Sequence, residues 1–406
     1  MLQTVHAHCL NLVTAIEQQL GRSLASSVHE TLLHVPRHLF ISHYYEHSHM
    51  KSAPSMSDEA AWEEWLSTIY QDQALATQTD KRGLPTSSSS QPSVMAVMLE
   101  QLNIRPGMRI LEIGTGTGYN AALLAALTGD PHLVTTVDLD PALVDLARSP
   151  IVHVVGTGMT IYACNGLYGY QPHAPYDRII ATGSFLPVPW SWIEQLSPEG
   201  KLVMDLRGRI GGGLVTITKD PNGTATGQFL TGWDDISFMG LRSSLEEMAI
   251  PPLPKEYQRL PLQEAMHVSQ DDPVYPSAYH FCTYEQFHGQ EQELNLWLQW
   301  LFPGLGIKWK SSPKATGEMY ALLIDYPTQT VATLKPYAHE IEITVHGEHS
   351  LWSEILTGIQ DWQRCNKPGR ECCTLYIDRQ QRQTIKISHH GASRTITLTN
   401  SQNITS

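Results

Sequence analysis

The sequence predicts an α/β protein built on a Rossmann-like, largely parallel sheet, and three observations carry this prediction. Between residues 93 and 206, short apolar segments alternate with helical segments, which is the pattern of parallel strands joined by crossover helices. One apolar segment runs into glycines at 114, 116 and 118 and then into an alanine-rich helix, a turn that lets the backbone approach a ligand closely. The next strand ends in Asp138, about twenty residues past that turn.

The N-terminal segment, residues 1–92, is predicted to contain two helices followed by a loop. Apolar residues recur at helical spacing from Val5 to Gln19, and Gly21 then ends the helix. A second, short helix precedes Val35. From Ile41 to Pro92 the composition turns polar and rich in serine, which predicts a loop positioned to close over a site.

The sheet itself is predicted within residues 93–245. In chain order we expect helix 94–102, strand 109–113, helix 119–127, strand 133–137, helix 141–152, strand 160–164, strand 177–181, helix 190–196 and strand 201–206. Three consecutive glycines, 211–213, are followed by two alternating stretches, 214–219 and 228–233. These two stretches predict an antiparallel pair at the edge of the sheet.

The pattern changes in the last third of the chain. Prolines at 251, 252 and 254 predict a linker over residues 246–274, and residues 275–406 are predicted to form a smaller α+β domain of ordinary size. Its expected elements are helices 290–301 and 351–364 and strands 319–325, 340–345, 373–377 and 384–388.

Composition excludes several classes of protein. With 406 residues, 41% apolar and 17% charged, the chain fits a soluble protein of two domains, and no apolar window is long enough for a membrane span. The first residues carry no positive charge ahead of an apolar run, so we expect a cytoplasmic protein. A net charge of −13 disfavours nucleic acid or an anionic membrane as partner. Six scattered cysteines without a C-x-x-C pair indicate neither disulfides nor a metal site.

The residues around the glycine turn indicate which cofactor it holds. Glu112 lies two positions before the first glycine and would repel a pyrophosphate, whereas it suits a cationic ligand. S-adenosylmethionine carries a sulfonium and an ammonium group, and it is therefore the predicted cofactor. Asp138 is placed to reach ribose hydroxyls. The alternatives are that Asp138 caps the helix starting at Pro141 and that Glu112 bonds backbone amides of the turn.

The sequence resembles the protein-L-isoaspartate O-methyltransferase family over about residues 30–240. The resemblance rests on five blocks that occur in order, at residues 35–40, 90–93, 111–119, 174–180 and 195–202. It implies the class I fold of methyltransferases that use S-adenosyl-L-methionine and release S-adenosyl-L-homocysteine. It also implies a peptide or protein substrate bearing Asp or isoaspartate.

The resemblance assigns roles to individual residues of this chain. It places Ser90 beside the carboxylate that accepts the methyl group. It places the cofactor on Gly114, Gly116, Thr117, Gly118 and Asp138. From their positions in the sequence we also expect Glu112, Leu139, Asn165 and Gly166 to contact the cofactor, and Arg37, His38, Ser89, Gln91 and Pro92 to contact the substrate.

Three of these assignments have an alternative or a departure from the family. Ser90 would equally serve as the N-cap of the helix that Pro92 opens. Arg37 and His38 would recognise peptide carboxylates or simply form a surface turn after Pro36. The family usually has an aspartate where this chain has Asn165, whose side-chain carbonyl still offers an acceptor to an adenine amino group.

Other features favour a subgroup of the family. Residues 71–78, the serine run that ends at Ser90, and a C-terminal helix carrying Trp352 and Trp362 look like a subgroup found beside enzymes that mature ribosomal peptides such as graspetides and lanthipeptides. In that subgroup an Asp of a constrained peptide is methylated, and the ester closes to an aspartimide. We prefer this function to repair of isoaspartyl residues in aged proteins. A third hypothesis, suggested by Asn165 and by the appended C-terminal domain, is a peptide-binding module with an inactive methyltransferase half.

Overall fold

Two sheets organise the structure, a computed structural model that describes residues 2–46, 49–233, 236–242, 244, 256–282, 287, 292–311, 319–389 and 391–398. The described strands are β1 (His43–Glu46), β2 (His49–Ser52), β3 (Leu75–Thr79), β4 (Pro85–Ser89), β5 (Ile110–Ile113), β6 (Val134–Asp138), β7 (Thr160–Ala163), β8 (Tyr176–Phe185), β9 (Leu196–Arg207), β10 (Gly212–Lys219), β11 (Ala225–Phe229), β12 (Leu262–Ser269), β13 (Leu305–Ser311), β14 (Met319–Asp325), β15 (Thr330–Pro336), β16 (Glu340–His346), β17 (Cys373–Ile377), β18 (Gln383–His389) and β19 (Ala392–Leu398). The larger sheet has the strand order β19-β18-β17-β11-β10-β9-β8-β5-β6-β7, and the smaller has the order β12-β16-β15-β14-β13.

Helices cover the sheets. They are α1 (Leu2–Leu20), α2 (Ser26–His34), α3 (Glu59–Ile69), α4 (Pro92–Leu102), α5 (Tyr119–Thr128), α6 (Pro141–Val155), α7 (Trp190–Gln195), α8 (Tyr275–Tyr279), α9 (Gln292–Leu301) and α10 (Leu351–Arg364). Among the described residues, no helix combines the length and the apolar character needed to cross a bilayer.

The central strands confirm the predicted fold class. Strand β5 pairs in parallel with β6 on one side and with β8 on the other, and β7 and β9 extend the parallel part outward. The chain therefore runs from β5 to one half of the sheet and returns to the other half at β8. Such a change of direction opens a crevice at the carboxyl ends of the strands, where ligands bind in sheets of this type.

The predicted loop over residues 41–92 is wrong for most of its length. It contains the hairpin β1–β2, helix α3 and the hairpin β3–β4. Helix α3 forms because Trp65, Leu66 and Ile69 share a buried face, and the Asp58 carboxylate accepts a hydrogen bond from the Ala61 N–H at its start. The serine run forms strand β4, whose residues are alternately buried and half-buried from position 86 onward.

The C-terminal third is divided between the two sheets. Strands β10 and β11 are antiparallel as predicted, but they do not form an edge, because β11 also pairs with β17 and the sheet continues through β18 and β19. Of the predicted linker, residues 246–255 lie outside the described part of the chain, and Leu262–Ser269 forms β12, which pairs with β16.

Two apolar cores lie against the larger sheet. One contains residues of α1, α2, α4 and α5, packed around Ile110 and Ile180. The other joins Ile179 and Leu202 of the parallel strands to Trp297 of α9 and Trp352 of α10. The C-terminal helices thus share a hydrophobic core with the parallel strands, which explains why the strands after them continue the same sheet.

Candidate active site

A cleft lies at the carboxyl ends of β5, β6 and β8, where the sheet topology predicts a ligand site. Four segments form its walls: the serine strand and its end (86–90), the end of β5 with the glycine turn (112–117), the end of β6 (137–139), and residues 239–242. The lining also includes Met95, Tyr119, Asn120, Leu143, Gly166, Leu167, Thr182 and Gly183.

The glycine turn has a backbone that other residues would strain. Gly114 adopts φ +101°, and a Cβ there would lie 2.5 Å from Thr182 Oγ1. Gly118 adopts φ +82° immediately before α5, and a Cβ there would overlap Ile151. Both positions therefore need glycine, and the turn presents bare backbone to the cleft. Gly114, Gly116 and Thr117 line the cleft as predicted, whereas Gly118 packs behind it.

Asp138 fixes the glycine turn from the neighbouring strand. Its Oδ2 accepts a hydrogen bond of 2.9 Å from the Gly116 N–H, and its Oδ1 accepts one of 3.1 Å from the Asp140 N–H. The cap of α6 is Asp140, which accepts from the Ala142 N–H, so Asp138 is not used as a cap. Burial raises the pKa of Asp138 above its ordinary value. Its carboxylate lines the cleft together with Leu139.

Glu112 is fully buried below the turn. Its carboxylate accepts a hydrogen bond of 2.8 Å from Asn120 Nδ2 and one of 2.6 Å from Thr136 Oγ1, rather than bonds from the amides of the turn. Burial raises its pKa to about 7. Asn120 was not predicted from the sequence. Its Oδ1 is buried and has no hydrogen-bond partner among the residues that the structure describes.

A Glu112→Gln variant should therefore change the pH dependence of stability. Because the pKa of Glu112 is about 7 when folded and near 4.5 when unfolded, the folded state binds the proton more tightly between these values. The contribution of Glu112 to the free energy of unfolding is highest below about pH 4.5 and falls by about 3 kcal/mol as the pH rises through 7. Glutamine does not titrate. Urea unfolding should show the variant gaining stability relative to the parent at pH 8 but not at pH 5.

An equal stability difference between variant and parent at both pH values would contradict this account. A matched control is Glu64→Gln, because Glu64 is exposed on α3 and its carboxylate has no hydrogen bond or ion pair with any described residue. That variant should leave the slope of stability between pH 5 and 8 close to that of the parent.

Ser90 lines the cleft at the end of the serine strand, and it is not the N-cap of α4. Gln91 occupies the cap position. The Asp72 carboxylate accepts a hydrogen bond of 2.8 Å from the Ser93 N–H. The Ser90 carbonyl accepts a bond from Arg37. Its hydroxyl makes no hydrogen bond with any residue in the described part of the chain. That hydroxyl is therefore available to a ligand in the cleft.

Arg37 does not contact the cleft, which corrects the expectation that it recognises substrate. The side chain is fully buried, and its guanidinium donates to the carbonyls of Ile69, Gln71, Gln73 and Ser90 at 2.8 to 3.1 Å. Burial lowers its pKa to about 10, so it stays charged at neutral pH. Arg37 thus fixes the backbone at both ends of the β3–β4 hairpin, which contains the serine strand.

The other predicted substrate residues surround the cleft rather than forming it, apart from Ser89. His38 hydrogen-bonds the Tyr70 hydroxyl at 2.8 Å, and burial lowers its pKa to about 4. Gln91 donates to Asp72 and Ser93, and Pro92 is buried in the first turn of α4. Ser89 is buried and lines the cleft.

Asn165 is placed differently from the prediction. Its Oδ1 accepts a hydrogen bond of 3.0 Å from the Leu167 N–H and so caps a short 3₁₀ turn. The cleft is lined instead by Gly166 and Leu167. One of the two lone pairs of the carbonyl expected to meet an adenine amino group is thus used by the turn.

Residues 239–242 form a wall that was not predicted from the sequence. Ser184 at the end of β8 donates its N–H to the Met239 carbonyl and accepts the Leu241 N–H, both at 2.9 Å. Gly183 leaves room for Leu241, because a Cβ there would lie 2.5 Å from its side chain. Residues 234–242 have neither strand nor helix periodicity in the sequence, so no local signal predicts this pairing.

Comparison with known proteins agrees with this geometry. The family model for protein-L-isoaspartate(D-aspartate) O-methyltransferase matches residues 11–232. A protein-L-isoaspartate O-methyltransferase of Methanococcoides burtonii is 36% identical over 192 residues, which cover 47% of this chain and 81% of that protein. Protein-L-isoaspartate O-methyltransferase 2 of Archaeoglobus fulgidus is 28% identical over 231 residues, covering 57% of this chain and 91% of that protein.

A solved structure of a protein-L-isoaspartate O-methyltransferase superposes with a TM-score of 0.52 at 20% identity, covering 94% of this chain and 99% of that one. The sheet and its cleft define a class I methyltransferase fold, the class whose cofactor is S-adenosyl-L-methionine, as predicted. The family match extends over more than half of the sequence. The chain belongs to the protein-L-isoaspartate(D-aspartate) O-methyltransferase family.

Proposed function

We propose that this protein transfers a methyl group from S-adenosyl-L-methionine to a carboxylate of an isoaspartyl or aspartyl residue in a peptide or protein. The observation that carries the proposal is a shared cleft. The Ser90 hydroxyl, without a partner in the described chain, lines the same cavity as the glycine turn and the Asp138 carboxylate. A site that orients a carboxylate and a site that cradles a cofactor are thus adjacent.

The residues present fit the cofactor. Bare backbone at Gly116 leaves space in the cleft, since a Cβ there would reach to 3.4 Å from the Ser88 carbonyl on the facing wall. Asp138 offers acceptor oxygens for ribose hydroxyls. Glu112 and the unpaired Asn120 Oδ1 offer acceptors to a cationic group. When bound, S-adenosyl-L-methionine supplies a methyl group on a positively charged sulfur, and S-adenosyl-L-homocysteine is the product.

The chemistry requires alignment more than proton transfer. A substrate carboxylate has an ordinary pKa near 4 and is already ionised at neutral pH, so no general base is needed. Ser90 donates a hydrogen bond to one carboxylate oxygen and leaves the other to attack the methyl carbon. The ester formed then reacts without the enzyme: the next backbone nitrogen attacks the ester carbonyl, methanol leaves, and a succinimide ring remains.

We infer that the first acceptor to test is an isoaspartyl residue. The family match and the names of both relatives favour it. The C-terminal region, whose tryptophan-bearing helix favours the peptide-maturation subgroup in sequence, also lies within the fold shared with the solved structure. It therefore does not favour that subgroup by itself. An Asp of a constrained ribosomal peptide is the second candidate, supported by residues 71–78 and the serine run.

The test is a direct comparison of two peptides. An L-isoaspartyl hexapeptide and a macrocyclic peptide with an ordinary Asp are each incubated with the enzyme and S-adenosyl-L-methionine, and products are followed by mass spectrometry. We expect the isoaspartyl peptide to gain one methyl group and then to lose methanol. Preferential methylation of the macrocyclic Asp would establish the second candidate instead.

A Ser90→Ala variant serves as the control on the site. Loss of one hydrogen bond to a charged oxygen should lower kcat about tenfold to a hundredfold, while affinity for S-adenosyl-L-homocysteine stays the same. No methylation of either peptide together with no binding of S-adenosyl-L-homocysteine would refute the proposal and favour a peptide-binding module.

A further inference from the structure

A second cavity lies beside the cleft, and its walls are built from the same two segments of the chain. Ser90 lines the cleft, whereas the next residue, Gln91, lines this cavity. Likewise Trp233 and Ile236 line the cavity, and the chain continues to Met239 in the cleft wall. We call this cavity the glutamine groove, because Gln19, Gln91, Gln101 and Gln228 all line it. Its volume of about 860 Å³ is that of a ligand site.

The glutamines of the groove retain unused hydrogen-bonding groups. Within the described residues, Gln19 makes no side-chain hydrogen bond, and Gln91 uses only its amide nitrogen, toward Asp72 and Ser93. Gln228 also uses only its nitrogen, toward Thr374, while Gln101 uses only its oxygen, from Thr216. The groove therefore offers both donors and acceptors along its length.

The charge of the groove points to an uncharged, hydrogen-bonding ligand. Among the described residues that line it, Arg22 is the charged one, and it already donates to both carboxylate oxygens of Glu100 at 3.1 and 2.6 Å. A phosphate or nucleic acid would find no cation here that lacks a partner. A peptide backbone presents one N–H and one C=O per residue, which matches the free groups of the glutamines.

We propose that the glutamine groove binds the residues of the substrate that flank the methylated one, as an extended segment paired through its backbone. This rests on the proposed function, because Ser90, beside which the methylated residue would lie, directly precedes Gln91 of the groove. Backbone pairing makes the contact tolerant of sequence. The enzyme then recognises the length of polypeptide beside the acceptor residue in addition to the acceptor itself.

The test is a series of peptides of increasing length. The isoaspartyl hexapeptide is compared with versions extended by six uncharged residues at the N-terminus or at the C-terminus, a reach of ~20 Å when extended. We expect at least one extension to lower KM about tenfold with kcat unchanged. Equal KM values for all three peptides would refute the proposed role of the groove. Methylation of the hexapeptide, and with it the proposed function, would be unaffected.

Two neighbouring glutamines provide matched variants. Gln19 and Gln18 are adjacent and exposed on α1, but Gln18 does not line the groove. Gln19→Trp should abolish the advantage of the extended peptide, whereas Gln18→Trp should keep it, with the same thermal unfolding midpoint in both. Gln19→Ala, which adds no bulk, should lose part of the advantage. Identical KM values for the two tryptophan variants, or a change of oligomeric state instead of KM, would refute the proposal.

Discussion

An Asp138→Ala variant is expected to lose methyl transfer by at least about a hundredfold, with a parallel loss of affinity for S-adenosyl-L-homocysteine. The carboxylate accepts hydrogen bonds from the Gly116 N–H and the Asp140 N–H. Its removal therefore releases the glycine turn and also removes the acceptor that faces the ribose. Hydrogen bonds to a charged acceptor contribute about 1.5–3 kcal/mol each. Loss of the two that ribose hydroxyls would donate to Asp138 accounts for a factor of about a hundred or more. Calorimetric titration and a methyl-transfer assay measure both effects.

Two further variants separate cofactor binding from general damage. Asp138→Asn keeps one oxygen acceptor and should lie between the parent and Asp138→Ala. Asp145→Ala removes an exposed carboxylate from α6 and should leave affinity and rate unchanged. If Asp138→Ala bound S-adenosyl-L-homocysteine as tightly as the parent, the assignment of the cleft to this cofactor would be wrong.

The parallel part of the fold was predictable because its signals are local. The glycine turn, the strand before it and Asp138 lie within about thirty residues, so the chain pattern alone indicates a strand, a turn and a helix. The continuation of the sheet through β17 was not predictable. Its partner β11 lies far away in the sequence, and alternating burial shows only that each strand has one buried face, not which strand lies beside it.

The same distinction holds within the site. Sequence spacing placed Glu112 and Asp138 near the turn. It could not indicate that Asn120 would bond Glu112 or that Asp72 would accept the Ser93 N–H in the first turn of α4, because both pairings depend on packing between separate elements. The polar composition of residues 41–92 concealed buried structure, because serine on a strand can alternate between buried and half-buried positions as leucine does. The burial of Arg37 was not predictable for a related reason, because arginine side chains are usually exposed.

An Arg37→Leu variant should be among the most damaging single substitutions in the chain. It would leave the carbonyls of Ile69, Gln71, Gln73 and Ser90 without their donor, inside a region that water does not reach. Each unsatisfied buried acceptor costs about 1–3 kcal/mol, so we expect the free energy of unfolding to fall by about 4 kcal/mol or more. One of these carbonyls belongs to Ser90, and the other three lie just before β3, which pairs with the serine strand. Ser90 should therefore be displaced and methyl transfer lost. Denaturant unfolding and the hexapeptide assay measure the two effects.

The comparison with lysine distinguishes the geometry of Arg37 from its charge. Arg37→Lys keeps the positive charge but offers three donors from one atom in place of a planar fork, so it should recover only part of the stability and little of the activity. Arg82→Leu is the matched control, because Arg82 pairs with Asp80 on an exposed turn, and its unfolding should stay close to that of the parent. Full activity in Arg37→Lys would show that the buried charge alone positions the serine strand. Full activity in Arg37→Leu would show that the strand holds Ser90 without help from the guanidinium.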